Sequence, residues 1–551
     1  MLRCGVTVTG KYRGAMRRDA HSTSLVRGVR VWHGTAIPAQ PRRADFESRK
    51  RSHDHSGKYA PMLKSLFRVK PVEAAPHVDA GEPVEGSLQG EATLKRTLTA
   101  RHLVLLGMGA VIGAGIFVLT GQAAANHAGP AIMLSFVLAG LACAFAGLCY
   151  AEFSALLPVS GSAYSYSYAT LGEFIAWFIG WCLVLEYLFA SSTVAVGWSG
   201  YFVSFLTTTL GLPFPAELAG APLAWVDGGF VRTANMFNLP AVMIVAAVSG
   251  LCYVGITQSA FVNGIVVAIK TAVIAAFLGF GFFYVDPANW TPFIPENVGP
   301  GQFGMDGVFR AATIVFFAYI GFDAVSTAAG EAKNPQRDMP IGILGSLAIC
   351  TMIYIAVCAV LTGMLPYTEL NTPKPVATAL EAYPNLAWLK TAVEIGAIAG
   401  LSSVILVMLM AQPRIFYTMS RDGLLPKVFG KVHPKHQTPY VGTIVVGIAA
   451  CLLAGLMPLS VLGELVSMGT LVAFATVCLG VLVLRRTRPE LHRPFRVPMA
   501  AVICPLGFLS CMFLFFQSFR EHWHLFVAWT IIGMAIYFLY GRRHSKLNTA
   551  A

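Results

Sequence analysis

Apolar runs long enough to cross a bilayer recur along this chain at about 103–125, 130–156, 172–205, 237–256, 261–284, 306–330, 340–363, 389–418, 440–457, 460–484, 497–518 and 523–541. A membrane span needs roughly 20 predominantly apolar residues. The pattern therefore predicts twelve transmembrane helices and an all-α integral membrane protein. Composition agrees, because 12% of the residues are charged and 56% hydrophobic, whereas soluble domains carry roughly a quarter charged residues.

The formal charge of +13 would point toward nucleic acid if it lay on a folded surface, but residues 1–61 hold thirteen Lys and Arg against four Asp and Glu, or +9 of it. No nucleic-acid partner is expected. Residues 1–97 contain no run able to span and are rich in Arg, Pro, Ser and His, which predicts a disordered basic tail. The first forty or so residues resemble an organelle transit peptide in being Arg- and Ser-bearing and poor in acids. A true start at Met62, with 1–61 upstream of it, is the simpler reading. The transport domain is expected over 98–541, followed by a cytoplasmic tail over 542–551. Short loops on one side carry Lys333, Arg337, Arg421, Lys427, Arg485, Arg486 and Arg493. The excess of Lys and Arg marks cytoplasmic loops, so both termini are expected inside the cell membrane. Nearly all of the eleven cysteines lie in apolar runs without a CxxC spacing; they read as small core residues, and no metal or cofactor is expected.

Within the first run, four of the eleven residues from Gly107 to Phe117 are glycine. Glycine costs about 1 kcal/mol relative to alanine inside a helix, so a break is plausible. Inside lipid a break is tolerated only where protein or a wet cavity satisfies the freed backbone groups. Close helix packing through small residues is the competing explanation. The sixth run carries a second interruption, Phe316-Phe317-Ala318-Tyr319-Ile320-Gly321-Phe322-Asp323-Ala324-Val325-Ser326. Breaks in runs one and six predict two five-helix halves of inverted topology with a site at the midplane. An outer half-helix starting near Gly113, Ala114 and Gly115 would offer N–H groups and a positive dipole end to a carboxylate. Carbonyls near Val111, Ile112, Phe317 and Ala318 would face an ammonium group. Together they suit the zwitterion common to α-amino acids. Asp323 is read chiefly as a helix cap, with substrate contact the alternative.

Two charges lie deep in the spans, Lys270 in the fifth and Glu186 in the third. Intramembrane ionisable groups are functional hypotheses by default. Lys270 could couple proton movement to transport, or could be a fixed ammonium pinned by carbonyls at the first break. Glu186 could pair with Lys270 through water, attract a cationic side chain, or sit protonated against a neighbouring carbonyl. The Ser160–Tyr166 stretch reads as a loop. No GxxxxGK[ST], HExxH or GxSxG motif occurs, so neither an ATP-driven pump nor a common hydrolase is indicated.

From about Leu94 to Tyr540 the chain resembles the amino acid–polyamine–organocation superfamily, in its bacterial cationic amino acid transporter branch. The motifs are GAVIGAGIF (109–117), YAEFSALLPVSGSAYSY (150–166), FFAYIGFDAVST (316–327), EAKNPQRDMPIGI (331–343) and MSRDGLLPKVF (419–429). The resemblance implies the five-plus-five fold with broken helices 1 and 6, two further C-terminal helices, and secondary transport of L-amino acids. It implies carboxylate contact at Gly113, Ala114 and Gly115, amino-group contact with carbonyls near Ile112, Phe317 and Ile320, and Phe317 as an outer lid. It also implies a proton-coupling role for Lys270 with Glu186 as a third-helix acid, and places Leu401 at the side-chain pocket. Leucine there offers no partner to a guanidinium, which favours neutral or mixed substrates. The expected partners are an amino acid, protons and the lipid bilayer; the same fold also serves exchangers, and a non-transporting sensor is the rival of another class.

Overall fold

The computed structural model describes residues 67–70, 98–157, 161–226, 228–255 and 260–548. The expected disordered tail thus lies outside the described residues except at 67–70. The helices are α1 (Ala100–Val111), α2 (Thr120–Ala123, between the π-turns Gly115–Leu119 and Ala124–Ala128), α3 (Ile132–Leu156), α4 (Ser162–Thr170), α5 (Glu173–Val184), α6 (Ala190–Ser204), α7 (Leu239–Val254), α8 (Ala260–Gly281) and α9 (Gly304–Phe316). They continue with α10 (Ala324–Thr327), α11 (Pro335–Met364), α12 (Pro375–Glu381), α13 (Ala387–Arg421), α14 (Tyr440–Leu456), α15 (Leu459–Thr487), α16 (Ala500–Ile536) and α17 (Arg542–His544). Among the described residues eight helical stretches are long and apolar enough to cross a membrane. This is an all-α, multi-pass membrane protein. Its strands are one small antiparallel hairpin, β1 (Leu223–Val226) and β2 (Gly229–Arg232), paired from Leu223↔Arg232 to Val226↔Gly229.

Packing sorts the helices into pairs. α11 lies along both α1 and α3, and α3 along α9, while α13 packs on α6 and α14 on α7. α8 touches both groups through α1 and α13. α15 and α16 pack on one another to one side.

One local expectation gives way to tertiary packing. Ser162–Thr170 is a buried helix rather than a loop: Tyr166 stacks on Phe153 at 4.9 Å, and Ser326 Oγ donates to Ser162 Oγ at 3.1 Å. The last two apolar runs meet at a kink within α16, where the backbone leaves helical values at His522 (φ −116°, ψ 21°). The C-terminal segment docks rather than trailing, with Ser545 Oγ donating to the buried Glu173 and Lys546 N–H to Asp422 O at 3.1 Å. The cysteine reading agrees with the structure: every described cysteine is a free thiol, and all but Cys451 are buried.

Both runs expected to break are interrupted. α1 stops at Val111, Ile112 is extended (φ −73°, ψ 95°), and helical structure resumes at Gly115. After α9 a single turn, Phe317–Tyr319, leads to extended Ile320 (φ −61°, ψ 134°) and to Gly321 at φ +114°. The two interruptions touch, because a Cβ on Gly115 would collide with the backbone and Cβ of Ala318. At Gly321 a Cβ would lie 2.9–3.0 Å from Ala110, in a backbone conformation that side-chain-bearing residues avoid. Replacing Gly321 with alanine should add about 1–3 kcal/mol of strain. A thermal midpoint lowered by several degrees in the purified protein is expected; an unchanged midpoint would contradict this backbone geometry.

The short helix α12 covers the same face as α2, with Gly121 seated against Pro375. Ion pairs fasten it: Glu381 accepts from Lys374 Nζ at 2.5 Å and lies 3.1 Å from Lys390 Nζ. Partial burial pushes the Glu381 carboxyl up, but hydrogen bonds and charge from Lys374 and Lys390 outweigh it and hold the group below its ordinary 4.5. A depressed folded-state value stabilises above the unfolded-state value and is lost as pH falls through the folded one. Glu381→Gln should therefore speed amide exchange across 376–381 at pH 7, by a margin that shrinks as pH falls through the folded-state value. Equal exchange at pH 7 would show that these pairs do not hold α12.

Candidate functional site

Between the two interruptions lies a small cavity of about 10 Å³, lined by Ala110, Val111, Gly113, Ala114, Gly115, Ala190, Val194, Phe317, Ile320, Val404 and Met408. Five of the eight residues singled out from the sequence line it, namely Gly113, Ala114, Gly115, Phe317 and Ile320. Ile112, Ala318 and Leu401 do not. Ile112 turns its carbonyl away, Ala318 is packed against Gly115, and Leu401 is buried one turn short of Val404 and two of Met408, which line the cavity instead. The signal for these was a helical stripe at 401, 404 and 408. Ala190 and Val194 follow Glu186 at the same four-residue spacing on the third span.

The freed backbone groups divide by type. Gly113 lies between the two helical stretches and Ala114 caps the second, and their N–H groups make no backbone hydrogen bond among the described residues. Gly113 O already accepts from Ile116 and Phe117 N–H at 3.3 Å, which begins the next helical turn and aims its N-terminal end at the cavity. The carbonyls are mostly occupied. Tyr354 Oη donates to Val111 O at 2.8 Å and to Ala318 O at 3.0 Å, tying the two interruptions together. Phe317 O accepts from Ile320 N–H at 3.1 Å. Lys270 Nζ donates to Gly109 O at 2.6 Å and Ile112 O at 2.9 Å. Of the carbonyls expected to meet an ammonium, only that of Ile320 accepts no hydrogen bond from the described residues.

Lys270 is fully buried on α8, its stem beside Gly400 of α13, where an added Cβ would lie 3.3 Å from the lysine Cδ. The pinned arrangement weighed from the sequence is the one present. Glu186, also fully buried, sits in a π-turn, Leu185–Phe189, between α5 and α6; such turns concentrate at functional sites. It faces the Asp323 carboxyl and the Thr470 hydroxyl rather than Lys270. Neither Glu186 oxygen makes a hydrogen bond of ordinary geometry. Asp323 makes no capping hydrogen bond to α10; its Oδ2 accepts from Tyr187 Oη at 2.7 Å and its Oδ1 has no partner. Two wholly buried carboxyl groups thus stand together beside the second interruption. The pairing joins residues 137 positions apart, which sequence spacing does not reveal.

Glu152, expected at an inner gate or an interfacial ion pair, is buried at the end of α3. It binds Arg485 Nη2 at 2.5 Å and lies 3.4 Å from Arg493 Nε, joining α3 to α15 and the loop after it.

Residues 98–539 match the amino acid permease family. The chain is 47% identical over 487 residues to the methylthioribose transporter of Bacillus subtilis, covering 88% of this chain and all of the relative. It is equally similar, 47% over 488 residues with the same coverage, to the branched-chain amino acid permease BcaP of that organism. It is 38% identical over 445 residues to the vacuolar cationic amino acid transporter 2 of Arabidopsis thaliana, covering 81% of this chain and 66% of the relative. A family match across four-fifths of the sequence, a multi-pass helical body and a pair of interrupted helices around a small cavity lead to one assignment: the chain is a transporter, not an enzyme, and belongs to the amino acid permease family.

Proposed function

We propose that this permease imports neutral aliphatic L-amino acids across the cell membrane together with protons. The unpartnered N–H groups of Gly113 and Ala114, beside the cavity between the interruptions, carry this reading. A helix N-terminus with free amides is an anion site, and every amino acid brings a carboxylate to it. The α-amino group is placed at Ile320 O, the remaining open carbonyl. The side-chain end of the cavity, with Ala190, Val194, Val404 and Met408, offers no charge to a cationic side chain. Branched aliphatic side chains match it, as the name of one close relative also has it. Methylthioribose, named for the other, has no carboxylate for the free amides.

Protons are the favoured coupling ion because the buried titratable groups adjoin the moving parts. Lys270 holds the end of α1, and Glu186 with Asp323 sits at the start of α10. One proton gained or lost at either place changes the charge beside an interruption and so its hold on the backbone. Twelve crossings in an inverted five-plus-five repeat are supported by the packing: the expected second span lies along the seventh, the third along the eighth and the fourth along the ninth. The kink at His522 and the turn at Gly129 (φ +58°) divide the two longest apolar stretches into paired crossings. The transporter domain over 98–541 and cytoplasmic termini complete the proposal.

Reconstituted into empty vesicles under an inward proton gradient, the wild-type protein should accumulate leucine, isoleucine or valine. Uptake only into preloaded vesicles would assign exchange instead, and ligand binding without any uptake would assign a sensor. Lys270→Ala and Glu186→Gln should each abolish gradient-driven accumulation while keeping substrate-induced thermal stabilisation. Undiminished accumulation in both variants would reject the proton pathway. Stabilisation by methylthioribose but by none of the twenty amino acids would overturn the substrate assignment.

A further inference from the structure

Outside the substrate cavity, one cluster of charged groups has a balance that the transport mechanism does not use. Where the β1–β2 hairpin meets the kink in α16, Arg310 of α9 donates through Nη2 to Glu464 Oε1 of α15 and Glu521 Oε2 of α16, each at 2.6 Å. Its Nη1 donates to Ser518 Oγ at 3.1 Å. One guanidinium therefore faces two carboxylates. Arg310, Glu464 and His522 are buried, whereas the Glu521 side chain is 46% exposed and opens the cluster to the surface.

His522 adds a nitrogen donor with nowhere else to go. It is 2% exposed, and neither ring nitrogen makes a hydrogen bond of ordinary geometry. Its Nδ1 nevertheless lies 2.9 Å from Glu464 Oε2, which is equally without a hydrogen bond. Donor atoms of Glu464, Glu521 and His522 all fall within 4.8 Å of one another. The Trp225 ring of the hairpin covers the imidazole at 5.1 Å and stacks on His524 at 5.3 Å. His127, the other imidazole within electrostatic reach, is engaged through Nδ1 with Gly301 O at 2.8 Å.

We propose that Glu464, Glu521 and His522 form a divalent transition-metal site, with zinc the ion that fits best. Two carboxylates and one imidazole are donors zinc accepts at about 2.0–2.2 Å, usually completing four positions with water. Magnesium and calcium prefer all-oxygen shells of six or more ligands, which this set does not supply. Arg310 occupies one oxygen of each carboxylate and leaves the other free, as the outer partner of a ligating carboxylate does. The ion supplies the positive charge the cluster lacks and joins α15 to the kink of α16, with α9 held through Arg310. The metal-free reading of the sequence is revised at this one place.

Calorimetric titration of the tag-free, chelator-treated full-length protein with zinc chloride tests this, with magnesium chloride as the control. Wild type should bind one zinc per chain and no magnesium, with a raised thermal midpoint. Glu521→Gln, at a half-exposed position, and His522→Gln each remove a direct ligand and should weaken zinc by at least the roughly 10–100-fold that loss of an outer partner costs. Absence of zinc binding by wild type at ~100 µM, or affinity unchanged in Glu521→Gln, overturns the site. A stability change between pH 5 and 8 that persists without metal and disappears in His522→Gln, in a protein that binds no zinc, would give the balancing charge to a proton and likewise overturn it.

Discussion

The structure rests on the rule that a peptide group in the membrane interior must find a partner inside the protein. Two helices that stop partway leave a set of carbonyl and amide groups bare, each costing several kcal/mol if left in hydrocarbon. The carbonyl side is met by two side chains: Lys270 takes Gly109 and Ile112, and Tyr354 bridges Val111 to Ala318. The amide side at Gly113 and Ala114 is left for something that enters. This asymmetry leaves free donors at a helix start, the feature that an anion site requires. It also explains the tight contact of Gly115 with Ala318, since a larger residue would separate the two chain segments that Tyr354 joins.

The same rule connects binding to charge. An ammonium donating two hydrogen bonds to the end of α1 fixes where that helix stops, and its aliphatic stem packs on Gly400 of α13, in the other packing group. Lys270 thus bridges the helices that carry the site and those against which they would rock. Glu186 and Asp323 stand in the corresponding place between the third span and the second interruption. The free amides and the titratable contacts use adjacent turns of the same backbone. A change in one therefore reaches the other through a few bonds.

Much of the architecture was legible because it is written in local composition. Apolar runs mark helices able to span, glycine clusters mark the interruptions, and a lone lysine in Val267-Ala268-Ile269-Lys270-Thr271 stands out against its neighbours. Its anchorage to carbonyls of the first interruption was one of two readings the sequence allowed. What local composition does not record is which distant groups meet. Asp323 looked like a cap from its place at a helix start, yet it turns to Tyr187 and Glu186 because tertiary packing brings a hydroxyl and a second carboxyl to it. Leu401 marked the right helix, but the cavity wall falls one and two turns later, at Val404 and Met408. The charged cluster around Arg310 was invisible for the same reason, since its members come from three helices. The helical Ser162–Thr170 segment shows aromatic burial overriding a polar, serine-rich sequence.

The most direct test of the central claim compares leucine with leucinamide, which keeps the side chain and amino group but loses the carboxylate charge. Hydrogen bonds to a charged group contribute about 1.5–3 kcal/mol each, so two amides at Gly113 and Ala114 correspond to roughly 100-fold or more in affinity. Equilibrium binding to the purified permease should show leucinamide weaker by at least that factor. Equal affinity for the two would mean that the bared amides do not hold the carboxylate, and would contradict the account.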